Sequence, residues 1–131
     1  MIFTYHPTTG PDIVRNFTFS SANSGDWFDN IAEGTYSVGI KSPRTLQKKV
    51  TGVNTTPGTA VLGNVVLVGA DANDDNFTDI GDLLPLISAY NQISPAAGYN
   101  ALADFNYDGV NDIADLLIII AYYNQAGDFL P

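Results

Sequence analysis

The sequence predicts two modules: an all-β sandwich over residues 1–68 and an all-α pair of loop–helix units over residues 69–131. Three observations predict this. The first 68 residues break into short β-rich pieces separated by Gly, Pro, Asn and Ser clusters. An oxygen-rich pattern is then written twice, as "DANDDNFTDIGD" (71–82) and "DFNYDGVNDIAD" (104–115). Each copy is followed by an apolar run at helical spacing, and residues 82–92 and 115–125 share seven identities in eleven positions.

In the first module the predicted strands are "MIFTYH", "NFTFSS", "TYSVGIK", "KKVTGV" and "AVLGNVVLV". Their spacing suggests two small antiparallel sheets packed face to face. In the second module "DLLPLISAY" places Leu83, Leu84, Leu86, Ile87 and Tyr90 at i, i+1, i+3, i+4 and i+7, which predicts a helix. Pro85 lies inside it and is expected to kink its first turns, because proline has no amide to donate. "ISPAAGYNALA" (93–103) reads as a small-residue connection, and "DLLIIIAYY" predicts the second helix.

The charge is split between the halves. Residues 1–70 hold four acids and all five bases (Arg15, Lys41, Arg44, Lys48, Lys49), whereas residues 71–131 hold ten Asp and no Lys or Arg. A nucleic-acid surface is therefore excluded, since phosphate binding needs Lys and Arg. Carboxylates packed among Leu and Ile need countercharge, and that half offers none, so it is expected from outside. With no cysteine, disulfides and thiolate chemistry are excluded. No apolar run approaches a membrane span, and residues 1–20 lack a signal-peptide pattern.

Calcium explains the repeated spacing. It takes six to eight hard oxygens, and a twelve-residue loop can supply them from places 1, 3, 5, 7, 9 and 12. Loop one offers Asp71, Asn73, Asp75, the Phe77 carbonyl, Asp79 and Asp82; loop two offers Asp104, Asn106, Asp108, the Val110 carbonyl, Asp112 and Asp115. Place 6 must turn sharply, which suits Gly109 and is tolerated by Asn76. Asp79 with Asp82, and Asp112 with Asp115, stand where a helix N-cap and its third residue would. Two Ca²⁺ are expected. Mg²⁺ fits such a ring of protein oxygens less well, and zinc lacks its usual ligands because His6 is alone. Neither loop is entered from a helix, so each unit is a loop plus its exiting helix (an F-hand), and a metal-dependent fold is expected rather than a sensor.

These residues resemble a known family. Loop–helix units 33 residues apart, Asp at place 12, and "DGVNDIADLL" after "YNALADFN" look like a type I dockerin. Upstream, "IAEGTYSVGIKSPRTLQKKVTGV" resembles a carboxypeptidase-regulatory-like (transthyretin-like) β-sandwich, an X-module-like companion of dockerins. Thr78 and Asn111 depart from the family, which has an apolar residue at place 8. The resemblance implies a non-catalytic docking module that binds a cohesin with calcium and anchors a secreted protein in a cellulosome-like or cell-surface assembly. It also implies an extracellular setting and a larger parent, of a kind that often degrades polysaccharides.

The helices are too apolar to cover each other fully. Leu83, Leu86, Tyr90, Leu116, Ile119 and Tyr123 are expected to form their mutual core. Ile80, Leu84, Ile87 and Ile113, Leu117, Ile120 are left for something else, and an exposed apolar patch usually means a partner. The resemblance places partner recognition at Ile80, Gly81, Ile87 and Ser88 and at Ile113, Ala114, Ile120 and Ala121. Because the sets nearly match, either could engage a partner, in two orientations. The free chain is expected to be monomeric and not inserted in a membrane.

Two other readings compete with docking: a calcium-stabilised terminal module without a cohesin, and a carbohydrate-binding sandwich using Trp27, Phe28 or Tyr36. An enzyme is not expected. Glycoside hydrolysis needs two carboxylates flanking a cleft, and the acids here belong to loops; Asp26, Asp29 and Glu33 read as a solvated turn.

Overall fold

The computed structural model describes residues 1–17, 30–56, 60 and 62–130. The chain divides into two compact units. One comprises Met1–Lys41, Gln47–Val66 and Asp128–Pro131; the other comprises Ser42–Leu46 and Leu67–Gly127.

The first unit is built on β1 (Ile2–Pro7), β2 (Ile13–Asn16), β3 (Thr35–Lys41) and β4 (Lys48–Asn54). They form one antiparallel sheet in the order β2-β1-β3-β4. Period-two alternation decides which face is buried. Register pairs Phe3 with Ile40 and Tyr5 with Val38, and with Tyr36 these side chains are all buried. The Tyr5 and Tyr36 rings meet edge to face with centroids 6.2 Å apart.

The expected sandwich is corrected here. Among the described residues there is a single four-stranded sheet, and residues 62–68 form no strand. Gly63 at φ +73° interrupts the extended run, and Val66 and Val68 are exposed. β-branched composition does not make a strand without a neighbouring edge to pair with. The "NFTFSS" prediction lies largely outside the described residues, as do Asp26, Trp27, Phe28 and Asp29.

The chain's last residues close the first unit. The Asp128 amide donates to the Gln47 carbonyl (2.8 Å). The Asp128 carboxylate accepts from the Lys49 amide at 2.9 Å and stands 3.2 Å from Lys48 Nζ. The Lys49 amide, then the two lysine charges, hold its pKa below the ordinary carboxylate value. A lowered folded pKa gives stability that is present above the ordinary value and lost as pH falls through the depressed one. Asp128→Asn should therefore lower the melting temperature modestly at pH 7, since the group is partly exposed. The difference from wild type should vanish on acidification, as followed by circular dichroism melts at pH 7 and below 3.

The second unit holds α1 (Ile80–Ser88) and α2 (Ile113–Tyr122), with a two-residue ladder of β5 (Gln92–Ile93) on β6 (Val110–Asn111). The expectation of an all-α half is therefore corrected as well. Among the described residues those in strands outnumber those in helices, and most of this unit is loop. The reason lies in the loops' own backbone, whose amides and carbonyls need partners. At places 7 and 8 they find them in the chain leaving the opposite helix. Loop two pairs there with Gln92–Ile93. Loop one bridges Phe77 to Ala126, and its Thr78 exchanges main-chain hydrogen bonds with Asn124 and Gln125.

The helix starts agree with the sequence. Asp79 and Asp112 are N-caps, and each forms a capping box with the aspartate three residues on. Pro85 stays inside α1, which runs nine residues without a break. The core holds Ala70, Ala72, Leu86, Ala103, Phe105 and Ile119, flanked by Leu83, Leu116 and Ile118. Tyr90 and Tyr123, expected in it, are 40% and 44% exposed. Phe105 and the small alanines of the loop entries take their place. Gly69 (φ +99°) is required by close approach, since a Cβ there would stand 2.4 Å from Leu46 Cγ.

Candidate metal-binding loops

The two twelve-residue loops make the same hydrogen bonds at equivalent places. At place 1, the Asp71 carboxylate accepts from the Asp75 amide (3.1 Å) and the Asn76 amide (2.9 Å). Asp104 accepts from the Asp108 amide (3.2 Å) and the Gly109 amide (3.1 Å). At place 3, Asn73 and Asn106 accept from the same two amides at place 5 and donate Nδ2 to the place-5 carboxylates at 2.8 Å. Asp75 and Asp108 then accept from the amides of Phe77 and Val110. Place 6 turns through positive φ, 66° at Asn76 and 85° at Gly109. Place 4 does so too, at Asp74 and Tyr107.

Place 12 closes each loop. Asp82 accepts from the amides of Ala72, Asn73 and Asp79, and Asp115 accepts from those of Phe105, Asn106 and Asp112. Both side chains are fully buried. Burial pushes their carboxyls above the ordinary value, partly offset by these amides. Asp79 and Asp112, at place 9, accept from the amides of Gly81 and Ala114 (2.6 and 2.7 Å) as they cap the helices.

Among the described residues no three carboxylate or imidazole side chains form a ready-made cage. The donor set nonetheless fits a hard cation. Each loop brings four carboxylates, one amide oxygen and one main-chain carbonyl, with no nitrogen or sulfur ligand. Two carboxylates in each loop, at places 1 and 12, are buried. Buried anions need a proton or a positive charge.

Several participants escaped the sequence reading. Thr78 and Asn111, noted only as departures, are fully buried. Thr78 Oγ1 accepts from the Ala70 amide (3.3 Å), while the Asn111 side chain accepts from the Asn100 amide and donates to its carbonyl. They seat the chain entering the loops, a polar task that an apolar residue could not perform. Countercharge was expected only from outside, yet Arg44 lies against loop two. Its Nη1 is 3.8 Å from Asp104 Oδ2, and its guanidinium stacks 3.7 Å from the Tyr107 ring centre. No local pattern around Arg44 could have announced this.

On the outer faces of the helices, Ile80, Leu84 and Ile87 are 52–58% exposed, and Ile113, Leu117 and Ile120 are 53–61% exposed. Ser88 and Ala121 are exposed beside them, and Gly81 and Ala114 are half-buried. The i, i+4, i+7 spacing puts each trio on one helix face, opposite Leu86 and Ile119.

No protein-family model matches the sequence, and no curated protein does. Among solved structures the chain is similar to two from Acetivibrio cellulolyticus. One is a type II Cohesin-X-Dockerin complex with a C-terminal interface mutation, at TM-score 0.64. The other is the same kind of complex with an N-terminal interface mutation, at TM-score 0.62. Each likeness is at 21% identity and covers 95% of this chain and 82% of that chain. It is a likeness of fold.

The functional expectation changes accordingly. A cohesin-binding dockerin with an all-α C-terminal half was expected; among the described residues the regular structure is mainly β, with two short helices. The similar structures contain cohesin as well as dockerin, and at 21% identity they carry the fold alone. Cohesin is therefore withdrawn as this chain's partner, and anchoring as its task. The carbohydrate-binding alternative fits no better, since Tyr36 is buried in the sheet's core; Trp27 and Phe28 lie outside the described residues. No helix among the described residues is long and apolar enough to cross a membrane.

Proposed function

We propose that this chain is a non-catalytic module whose second unit is assembled by two calcium ions, one in each twelve-residue loop. One observation carries the reading. Loops 33 residues apart in sequence repeat one hydrogen-bond pattern place by place, and each gathers main-chain amides on a buried aspartate at place 12. Solvated acidic turns would have no reason to bury Asp71, Asp82, Asp104 and Asp115. The ligands are those of the loops: Asp71, Asn73, Asp75, Phe77, Asp79 and Asp82 in one, Asp104, Asn106, Asp108, Val110, Asp112 and Asp115 in the other. Bound calcium would neutralise the buried carboxylates at places 1 and 12 and draw the other ligands of each loop onto itself. The residues' share is to present oxygens and cap both helices. The setting we propose is outside the cell, where calcium is abundant.

Calorimetric titration of the chelator-treated chain tests this. Two Ca²⁺ should bind per chain, with Mg²⁺ much weaker, and Asp75→Ala or Asp108→Ala should each remove one. Absence of binding, or equal response to both metals, would overturn the reading.

A second reading concerns the exposed trios, favoured by six large apolar side chains facing solvent on two short helices. We assign Ile80, Gly81, Leu84, Ile87, Ser88 and their counterparts Ile113, Ala114, Leu117, Ile120, Ala121 to a protein-facing surface. Pull-down with an isolated dockerin module as bait checks it. Ile87→Asp combined with Ile120→Asp should abolish any capture; retention by the double variant would refute the assignment.

A further inference from the structure

We propose that Arg44 is a resident countercharge for loop two, which steadies that loop before its ion binds and weakens calcium binding there. The inference rests on the calcium reading above and deepens it. Ser42–Leu46 packs within the second unit. It is held there by the Arg44 carbonyl accepting from the Asp71 amide (3.1 Å) and the Leu46 amide donating to Val68 (2.8 Å). Arg44 adopts φ +72°, unusual for a long side chain, in a turn closed by Ser42 and Thr45.

From that turn the guanidinium meets loop two at its first ligand. Nη1 donates to the Asp104 carbonyl and faces Asp104 Oδ2, and the two side chains are only 16% and 4% exposed. Tyr107 lies beneath the guanidinium and donates its hydroxyl to the Pro43 carbonyl (3.0 Å). Arg44 Nε is buried with no acceptor among the described residues. The guanidinium is thus held for its charge and its stacking, at the expense of one of its own hydrogen bonds.

The same Asp104 Oδ2 also accepts from Tyr99 Oη at 2.5 Å and from the Gly109 amide. A fixed cation and a hydroxyl on one carboxylate have opposite effects in the two states. Without metal they offset the burial of Asp104. With a dication on the same carboxylate, the guanidinium repels it and the hydroxyl competes for the oxygen.

The test is calcium titration and metal-free melting of the full chain carrying Arg44→Gln, in the wild-type and Asp75→Asn backgrounds, the latter leaving loop two to titrate. Arg44→Gln should tighten calcium binding at loop two about tenfold while lowering the metal-free melting temperature. Arg44→Lys should restore much of both. Tyr99→Phe should shift both in the same directions by less, and stands in should Arg44→Gln fail to fold. Weaker calcium binding in Arg44→Gln, or an unchanged loop-two affinity while wild type binds two ions, overturns this inference alone. A wild type that binds no calcium overturns the function reading, and this with it.

Discussion

Chelation is expected to melt the second unit. At calcium a hundredfold above the dissociation constant, each site contributes about 2.7 kcal/mol to the folded state, so two contribute about 5 kcal/mol. A unit of this size is expected to need such help, because its core cluster holds Leu86, Ile119, Phe105 and three alanines, with three partly buried flanking residues. For a domain of 60–100 residues each kcal/mol moves the midpoint by about 4–8 °C, so excess chelator should lower it by roughly 20 °C or more. Far-ultraviolet circular dichroism should lose the helical signal of α1 and α2, and restored calcium should bring it back. The reason is local: the place-12 aspartates that close the loops also form the capping boxes that start the helices. Loss of the loop is loss of the helix start. A melting curve indifferent to chelator would refute the assembly of this unit by metal.

The second large effect concerns the line between the two helices. Leu86 and Ile119 are each 1% exposed and belong to one cluster. Leu86→Ala or Ile119→Ala should cost about 2–5 kcal/mol, from lost transfer energy plus the cavity left behind. That is enough to unfold the second unit at low calcium. Leu117→Ala, two residues from Ile119 but 58% exposed, should change stability by no more than about 0.5 kcal/mol. Calcium-dependent melts of the three variants check the contrast. Equal losses at Leu117 and Ile119 would show that the outer face is covered.

Much of this site was legible in the residues. The acidic spacing marked both loops, and the recurring i, i+4, i+7 pattern separated the outer trios from Leu86 and Ile119. Asn76 and Gly109 were chosen for positive φ because few residues tolerate it, and both adopt it. β3 was readable to the residue, because "TYSVGIK" alternates between one buried face and its reverse. By contrast, "AVLGNVVLV" has strand composition and forms no strand over 62–68, since pairing needs an edge that composition does not supply. Tyr90 and Tyr123 fell on the helical stripe but stay half in water, where their hydroxyls need no buried partner.

The linear order of residues was sufficient for whatever depends on neighbours within about a dozen positions: the hydrogen-bonded loops, turn conformations, helix caps and the faces of each helix. Tertiary structure alone decided what joins distant positions. It set loop one against the chain after α2, loop two against the chain after α1, and Arg44 beside Asp104, 60 residues away. Short-range patterns are written by backbone geometry, which repeats every two or 3.6 residues. A long-range contact has no period, and it exists only once folding has brought its two halves together.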